Sequence, residues 1–276
     1  MNRSESSASR RAVRQPLGPK ETVAMLAALM ALNSFAIDAM IPALPEIGLQ
    51  LGVADANATQ FVVVAYFLGF GSTQLIWGPL ADRFGRRAIL GAGVTLYATF
   101  ALVCAIAATF PLLIAARVLQ GASAAVTRVL VVAMVRDLFE GEEMARVMSL
   151  TFMAFMVMPV LAPSIGQAIL LVAPWRAIFV VLAAYGLAML GWSMLRLPET
   201  LHEEHRRSLK WRDIAAATWE AMKEAQSRGY TLALTLASGA LVAYISSIQQ
   251  IVAQAFGRPA AIGAVFAGIA APMALA

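Results

Sequence analysis

Two charged residues stand where an apolar chain should have none. Asp38 lies in SFAIDAMIPALP and Arg117 in LIAARVLQGASAA, each inside a long uncharged surrounding. Burying a carboxylate in hydrocarbon costs at least ~2.5 kcal/mol even on the lenient insertion scale, so an intramembrane ionisable group faces a cavity or a partner by default. A carboxyl that is able to carry its proton into an apolar interior has the property a proton-carrying site needs; an interfacial Asp near a helix end is the plainer alternative. Arg117 offers a guanidinium that would pair with Asp38 or attract an anion. Arg128 follows eleven residues later, a spacing that returns almost to the same helix face. It reads equally as a second cavity arginine or as a side chain snorkelling to the interface. Tyr66, Gln74, Gln249 and Gln250 are further polar groups at membrane depth, fit either to line a substrate cavity or to bond between helices.

Other motifs concern shape. Pro159 and Pro163 in MPVLAPSIGQ are four residues apart and predict a bent helix, with Gly166 leaving a shallow groove. Residues 121–125, GASAA, form a small-residue face suited to close helix packing. GPLADRFGRR, residues 78–87, packs Asp82, Arg83, Arg86 and Arg87 into a short turn between two uncharged runs, which makes those runs a hairpin. His202 and His205 sit in a charged stretch, HEEH, and read as solvated rather than metal-binding. No Walker A loop is present, so ATP is not the evident energy source, and no cofactor or metal is expected.

The elements that must position these groups are helices. The 276 residues are 60% hydrophobic and 13% charged, with a mean hydropathy of +0.74. A soluble domain carries about 25% charged residues, so the class is an all-α polytopic membrane protein. A net charge of +5 does not by itself point to nucleic acid, because in such proteins the placement of charge matters more than its sum. The lone cysteine, Cys104, lies in an apolar run and excludes a disulfide within the chain. Eight apolar segments read as helices, over 22–44, 58–80, 88–110, 111–135, 145–171, 176–196, 229–255 and 260–276. The first seven are long enough to span and the eighth is marginal. Asp38 and Arg117 are then each six residues from the same side, roughly 9 Å deep at 1.5 Å of rise per residue.

Seventeen of the 21 lysines and arginines fall on one side of this arrangement, and only Arg176 and Arg258 on the other. The positive-inside rule places the N-terminus and the 81–87 loop in the cytoplasm. The layout is a cytoplasmic tail over 1–20, a six-helix bundle over 21–197, a cytoplasmic linker over 198–228, and the start of a second bundle over 229–276. Arg10-Arg11 reads as part of the tail rather than as an export signal. Within the linker, Ser208 would cap a helix over roughly 209–225, with Trp211, Ala215 and Met222 on one face and Ile214 and Trp219 flanking it. A tether between two bundles is the favoured role, and a partner-binding element the other.

The motifs in order resemble a known family. GPLADRFGRR is similar to the signature loop of the major facilitator superfamily. IDAMIPALP (Asp38, Pro42, Pro45), RVLQG (Arg117, Gln120, Gly121) and PVLAPSIG (Pro159, Pro163, Gly166) resemble the motifs of its drug:proton antiporter group with twelve spans. With QLIWGPLADRFGRR and VRDLF, the nearest resemblance is to the Bcr/CflA multidrug subfamily. The resemblance covers nearly all of residues 20–260. It implies a major facilitator fold, a complete six-helix N-terminal bundle plus about two helices of the C-terminal one. It implies an inner-membrane transporter, monomeric when full length, that exports lipophilic or cationic compounds against protons, with the proton gradient as energy source. Asp38 would couple proton and drug, and Arg117 would tune that process. Gly78, Asp82, Arg83, Gly85, Arg86, Arg87 and Asp137 would form a cytoplasmic latch, with Asp137 pairing with Arg86. Two departures stand out. Ala162 replaces a usual glycine, and the chain ends near the eighth helix of twelve, which reads as truncation of a larger transporter. A facilitator-type metabolite transporter and a non-transporting membrane fragment are the alternatives. The expected partners are a small molecule, protons and the lipid bilayer, without nucleic acid, and no enzymatic activity is expected.

Overall fold

A computed structural model describes residues 18–53, 55, 57–201 and 211–250, and they are helical throughout the apolar runs. The elements are α1 (Pro19–Asp38), a 3-10 turn (Ile41–Ala43), α2 (Leu44–Gln50), a second 3-10 turn (Ala58–Gln60), α3 (Phe61–Phe84), α4 (Arg86–Ala105), α5 (Phe110–Leu138), α6 (Gly141–Leu170), α7 (Arg176–Arg196), α8 (Trp211–Lys223) and α9 (Ala225–Gln250). Among the described residues, six helical segments are long and apolar enough to cross a membrane: Lys20–Gln50, Ala58–Phe84, Arg86–Ala105, Phe110–Leu138, Gly141–Leu170 and Arg176–Arg196. The tail through residue 17, His202, His205, the Ser208 cap, the side chains of Trp211, Ile214, Gln249 and Gln250, and residues 251–276 lie outside the described residues.

Several helix ends differ by a few residues from the sequence expectation, and two of these differences have clear physical reasons. The first span does not stop at residue 44. Pro42 has no N–H to give the Asp38 carbonyl four residues before it, so α1 closes at Asp38. The chain then passes through the 3-10 turn and restarts as α2, with Pro45 tolerated in its first turn. Asp38 therefore stands at a helix break in mid-span. The second correction concerns the charged turn. Asp82 and Arg83 continue α3 to Phe84, Arg86 and Arg87 open α4, and Gly85 alone makes the corner. It does so at φ +98, a conformation that glycine adopts without the Cβ penalty.

The bundle is held by a few very close helix contacts. A Cβ added to Gly121 on α5 would lie 2.0 Å from the Tyr66 carbonyl oxygen, and one on Gly69 of α3 would lie 1.9 Å from that of Val118. On α6, a Cβ at Gly166 would lie 1.9 Å from the Ala39 carbonyl oxygen. Small residues are what let membrane helices approach this far. Thr73 Oγ1 and Trp77 Nε1 of α3 both donate to the Ala122 carbonyl of α5, at 2.9 and 2.7 Å, and seal the same interface. α6 runs unbroken through Pro159 and Pro163, whose missing amides leave the Phe155 and Pro159 carbonyls without their helical donors.

The packing repeats itself. α3 lies on α5 as α6 lies on α1, and α4 lies on both α5 and α7 while α7 lies on α1. Exchanging spans one to three with spans four to six reproduces this pattern. The glycine contacts obey the same exchange: Gly69 meets the residue after Arg117, and Gly166 meets the residue after Asp38. Asp38 and Arg117 thus hold matching positions in two three-helix halves.

The glycine contacts predict a sharp contrast. Gly121→Ala should destabilise the bundle by about 1–3 kcal/mol through overpacking. Gly71→Ala, inside α3 where nothing lies within 4 Å, should instead be neutral to stabilising by up to about 1 kcal/mol; thermal melting in detergent of the two variants checks this.

Candidate functional site

The Arg117 side chain is fully buried, and the groups that hold it come from four spans, its own included. Its Nε donates to the Val62 carbonyl at 3.0 Å, and its Nη1 donates to the Ala36 carbonyl at 3.2 Å and to Gln120 Oε1 at 3.0 Å. Its guanidinium lies 4.5 Å from the Tyr66 ring centroid and 5.8 Å from that of Phe179. A desolvated cation on an aromatic face gains about 2 kcal/mol, which helps to hold the charge where its hydrogen-bond acceptors are all neutral. Tyr66 in turn donates its hydroxyl to Asn33 Oδ1 at 3.2 Å, and Asn33 Nδ2 donates to Thr127 Oγ1 at 2.7 Å. Tyr66 is fully buried, so it serves as a platform under Arg117 rather than as an open cavity wall.

Asp38 is also buried, and Ser34 Oγ donates to its Oδ2 at 2.7 Å. Both Asp38 and Arg117 lie within electrostatic reach of Tyr66, yet no ion pair joins the two charges among the described residues. Each keeps an unused position. Asp38 Oδ1 and Arg117 Nη2 have no hydrogen-bond partner among the described residues, and neither do Gln120 Nε2 and the Tyr97 hydroxyl.

The end of the bundle opposite the charged corner is tied by Gln50 Oε1, which accepts from Trp175 Nε1 at 2.9 Å and from Arg176 Nη1 at 2.8 Å, while Arg176 Nη2 donates to the Ala107 carbonyl at 3.2 Å. Asp38 is twelve residues from Gln50 and Arg117 ten from Ala107. α5 opens at Phe110, so Arg117 lies seven residues, roughly 10 Å, along that helix, in keeping with the sequence spacing. The structure does not bring Arg128 or Gln74 into this network. Arg128 is half-buried, with its guanidinium 5.7 and 5.4 Å from the rings of Phe152 and Phe155 on α6. Gln74 is half-buried on α3, about two turns beyond Tyr66.

A second polar cluster closes the basic end of the bundle. Arg86 Nη1 pairs with Asp82 Oδ1 at 2.7 Å, and its Nε with Asp137 Oδ2 at 3.2 Å. Thr200 Oγ1 also donates to Asp137 Oδ2, at 3.3 Å. Arg87 donates to the Met194 carbonyl. Arg83 faces the ring of Phe84 instead. Sequence reading missed the centre of this cluster, Glu199. Its carboxylate accepts from the amides of Arg86 at 2.8 Å and Arg87 at 3.3 Å, the otherwise unpaired donors that open α4. A Cβ at Gly85 would lie 2.5 Å from Glu199 Oε2, so the glycine provides both the corner and the room for this cap. The signal was present in LPET, an acid placed directly after the sixth span at the mouth of a basic linker. Gly78 sits two turns earlier, where a Cβ would only touch Val129 at 3.7 Å.

Glu199→Ala should lower the melting temperature of the purified chain by a few degrees, since two helix-opening amides lose their acceptor. Glu199→Gln, which keeps a carbonyl acceptor, should lose less in the same assay.

The comparisons with known proteins bear on this arrangement of six spans, a buried acid and base, and a capped charged corner. The sequence profile of the Major Facilitator Superfamily matches residues 26–276. The chain is 35% identical over 247 residues to the uncharacterized MFS-type transporter YdgK of Bacillus subtilis, covering 89% of this chain and 60% of that protein. It is 32% identical over 234 residues to the bicyclomycin resistance protein homolog of Haemophilus influenzae, covering 85% and 58%. It is 34% identical over 173 residues to the multidrug resistance protein MdtL of Escherichia coli, covering 63% and 44%. The chain therefore spans about half the length of the curated relatives it matches. Among solved structures, the human organic anion transporter MFSD10 (TETRAN) shares the fold with a TM-score of 0.59 at 21% identity, over 73% of this chain and 53% of that one. With the profile covering nearly the whole chain and the six-span fold agreeing with it, the protein belongs to the major facilitator superfamily.

Proposed function

We propose that this chain is part of a secondary active transporter that exports small lipophilic or cationic compounds in exchange for protons, by alternating access. The observation that carries the reading is Asp38. It is a buried carboxyl at a helix break, with one oxygen held by Ser34 and the other without a partner among the described residues. An acid in that setting exchanges a proton when the interior opens to water and keeps it, or its absence, when the interior closes. Resistance proteins among the relatives support a drug as the other ligand. Arg117 acts as the fixed positive charge beside the exchanging group, and Arg128 and Gln74 line the route on the basic side of it.

The placement follows the charge. The basic end carrying Arg83, Arg86 and Arg87 faces the cytoplasm of a bacterial inner membrane, with the N-terminus on that side. The Asp82–Arg86–Asp137 cluster, joined by Glu199, acts as a latch that biases one orientation of the bundle. Pro159, Pro163 and Gly166 let α6 move against α1 beside Asp38. The partners are the exported compound, protons and lipid, with the full-length transporter acting as a monomer.

The test is drug efflux driven by an imposed pH gradient from cells carrying the full-length transporter. Asp38→Asn should reduce resistance and gradient-dependent efflux to the level of cells lacking the gene, while the protein still reaches the membrane. Unchanged resistance with unchanged pH dependence would overturn the assignment. Parent efflux that does not respond to the imposed gradient would point to a facilitator.

A further inference from the structure

The two buried charges do not touch, so how strongly each is felt by the other depends on the scaffold that positions them. One turn of α1 reaches both. Ser34 Oγ donates to Asp38 Oδ2 at 2.7 Å. Its neighbour Asn33 serves α3 and α5 instead, accepting from the Tyr66 hydroxyl at 3.2 Å and donating to Thr127 Oγ1 at 2.7 Å. Thr127 passes its own hydroxyl to the Ala124 carbonyl at 3.0 Å. Tyr66 is the platform on which Arg117 rests, 4.5 Å from guanidinium carbon to ring centroid. The same turn of α1 also holds Arg117 directly, through the Ala36 carbonyl. All of these side chains are buried.

We propose that Asn33 and Ser34 form a positioning pair that ties the setting of Asp38 to the setting of Arg117. The inference rests on the reading above only in taking Asp38 as the proton site. Ser34 orients the carboxyl, while Asn33 orients Tyr66 and through it the guanidinium. The turn that carries them ends at Asp38, where Pro42 has already removed the helical hydrogen bond. A small rotation of this turn moves the acid and the platform of the base together. The other charged or titratable side chains near this turn are few. Tyr185 of α7 packs edge-on against Phe35 and donates to the Ala28 carbonyl, and Tyr97 of α4 lies near Tyr66 and Arg117. α6 carries no titratable residue from Thr151 to Leu170.

The experiment reads the carboxyl C=O stretch of Asp38 by infrared spectroscopy as a function of pH. It uses the purified chain in detergent, with the band assigned by its loss in Asp38→Asn. Asn33 does not touch Asp38, so a residue that only packs the bundle would leave the titration midpoint alone. If the pair positions both charges, Asn33→Ala and Thr127→Val should each move the midpoint by about half a pH unit or more, because a unit charge nearby is displaced. Tyr66→Phe keeps the ring and removes only the hydroxyl, so it should shift the midpoint the same way. That variant decides the question if Asn33→Ala does not fold. Ser34→Thr, which keeps the hydroxyl, should retain the parent midpoint that Ser34→Ala loses. Thr151→Val, buried on α6 and bonded only to the Val147 carbonyl of its own helix, should leave it unmoved. An unmoved midpoint in folded Tyr66→Phe, or the lack of any titrating band, would overturn the proposal. The measurement involves no drug and no gradient, so the export reading stands or falls separately.

Discussion

A guanidinium in the middle of an apolar bundle must find its acceptors inside the protein. Apolar side chains supply none, and an unsatisfied buried charge costs several kcal/mol. Arg117 finds carbonyls on α1 and α3, the amide oxygen of Gln120 and two aromatic faces, while its Nη2 keeps no partner among the described residues. These groups come from four helices, α1, α3, α5 and α7. Holding them together ties the approach of spans one, two, four and six to this single side chain.

The close glycine contacts are the other half of that constraint. The Val62 carbonyl comes within reach of Arg117 because α3 and α5 pack at the distance Gly69 and Gly121 permit. A wider spacing would leave the guanidinium without acceptors, and a bulkier residue at either glycine would force that spacing. The small-residue run after Arg117 is thus part of the same device as the charge, though in the sequence the two read as separate features.

Much of this was legible in the sequence, and what was not has clear causes. The spans were visible because hydrocarbon length sets a run of about 20 apolar residues. Asp38 and Arg117 were visible because charge is rare in such runs. The end of the first span was misplaced because Pro42 and Pro45 read as a terminus, whereas the chain restarts as α2 and continues to Gln50. The charged corner read as a loop because polarity there comes from the headgroup level, not from loss of helix, and only Gly85 leaves the helical conformation. Asn33, Ser34 and Thr127 stood out little, since hydroxyls and amides are common packing groups in membrane helices. Their importance lies in which side chains they reach across 33 and 94 positions of sequence, something periodicity cannot reveal. Arg128 shares a helix face with Arg117 by spacing, but the rings of Phe152 and Phe155 give it a separate seat.

The repeated packing of the two three-helix halves has an electrical consequence. A symmetric scaffold carries opposite charges at its two equivalent addresses, one beside the Gly166 contact and one beside the Gly69 contact. While Asp38 is ionised, those addresses sum to zero and leave a field directed across the bundle. Once Asp38 is neutral, the same interior holds one uncompensated positive charge, because Arg117 has no means of losing its own. In so poorly screened a medium that difference acts over many ångströms. The neutral-Asp38 form of the interior is therefore less hospitable to any further positive charge than the ionised form.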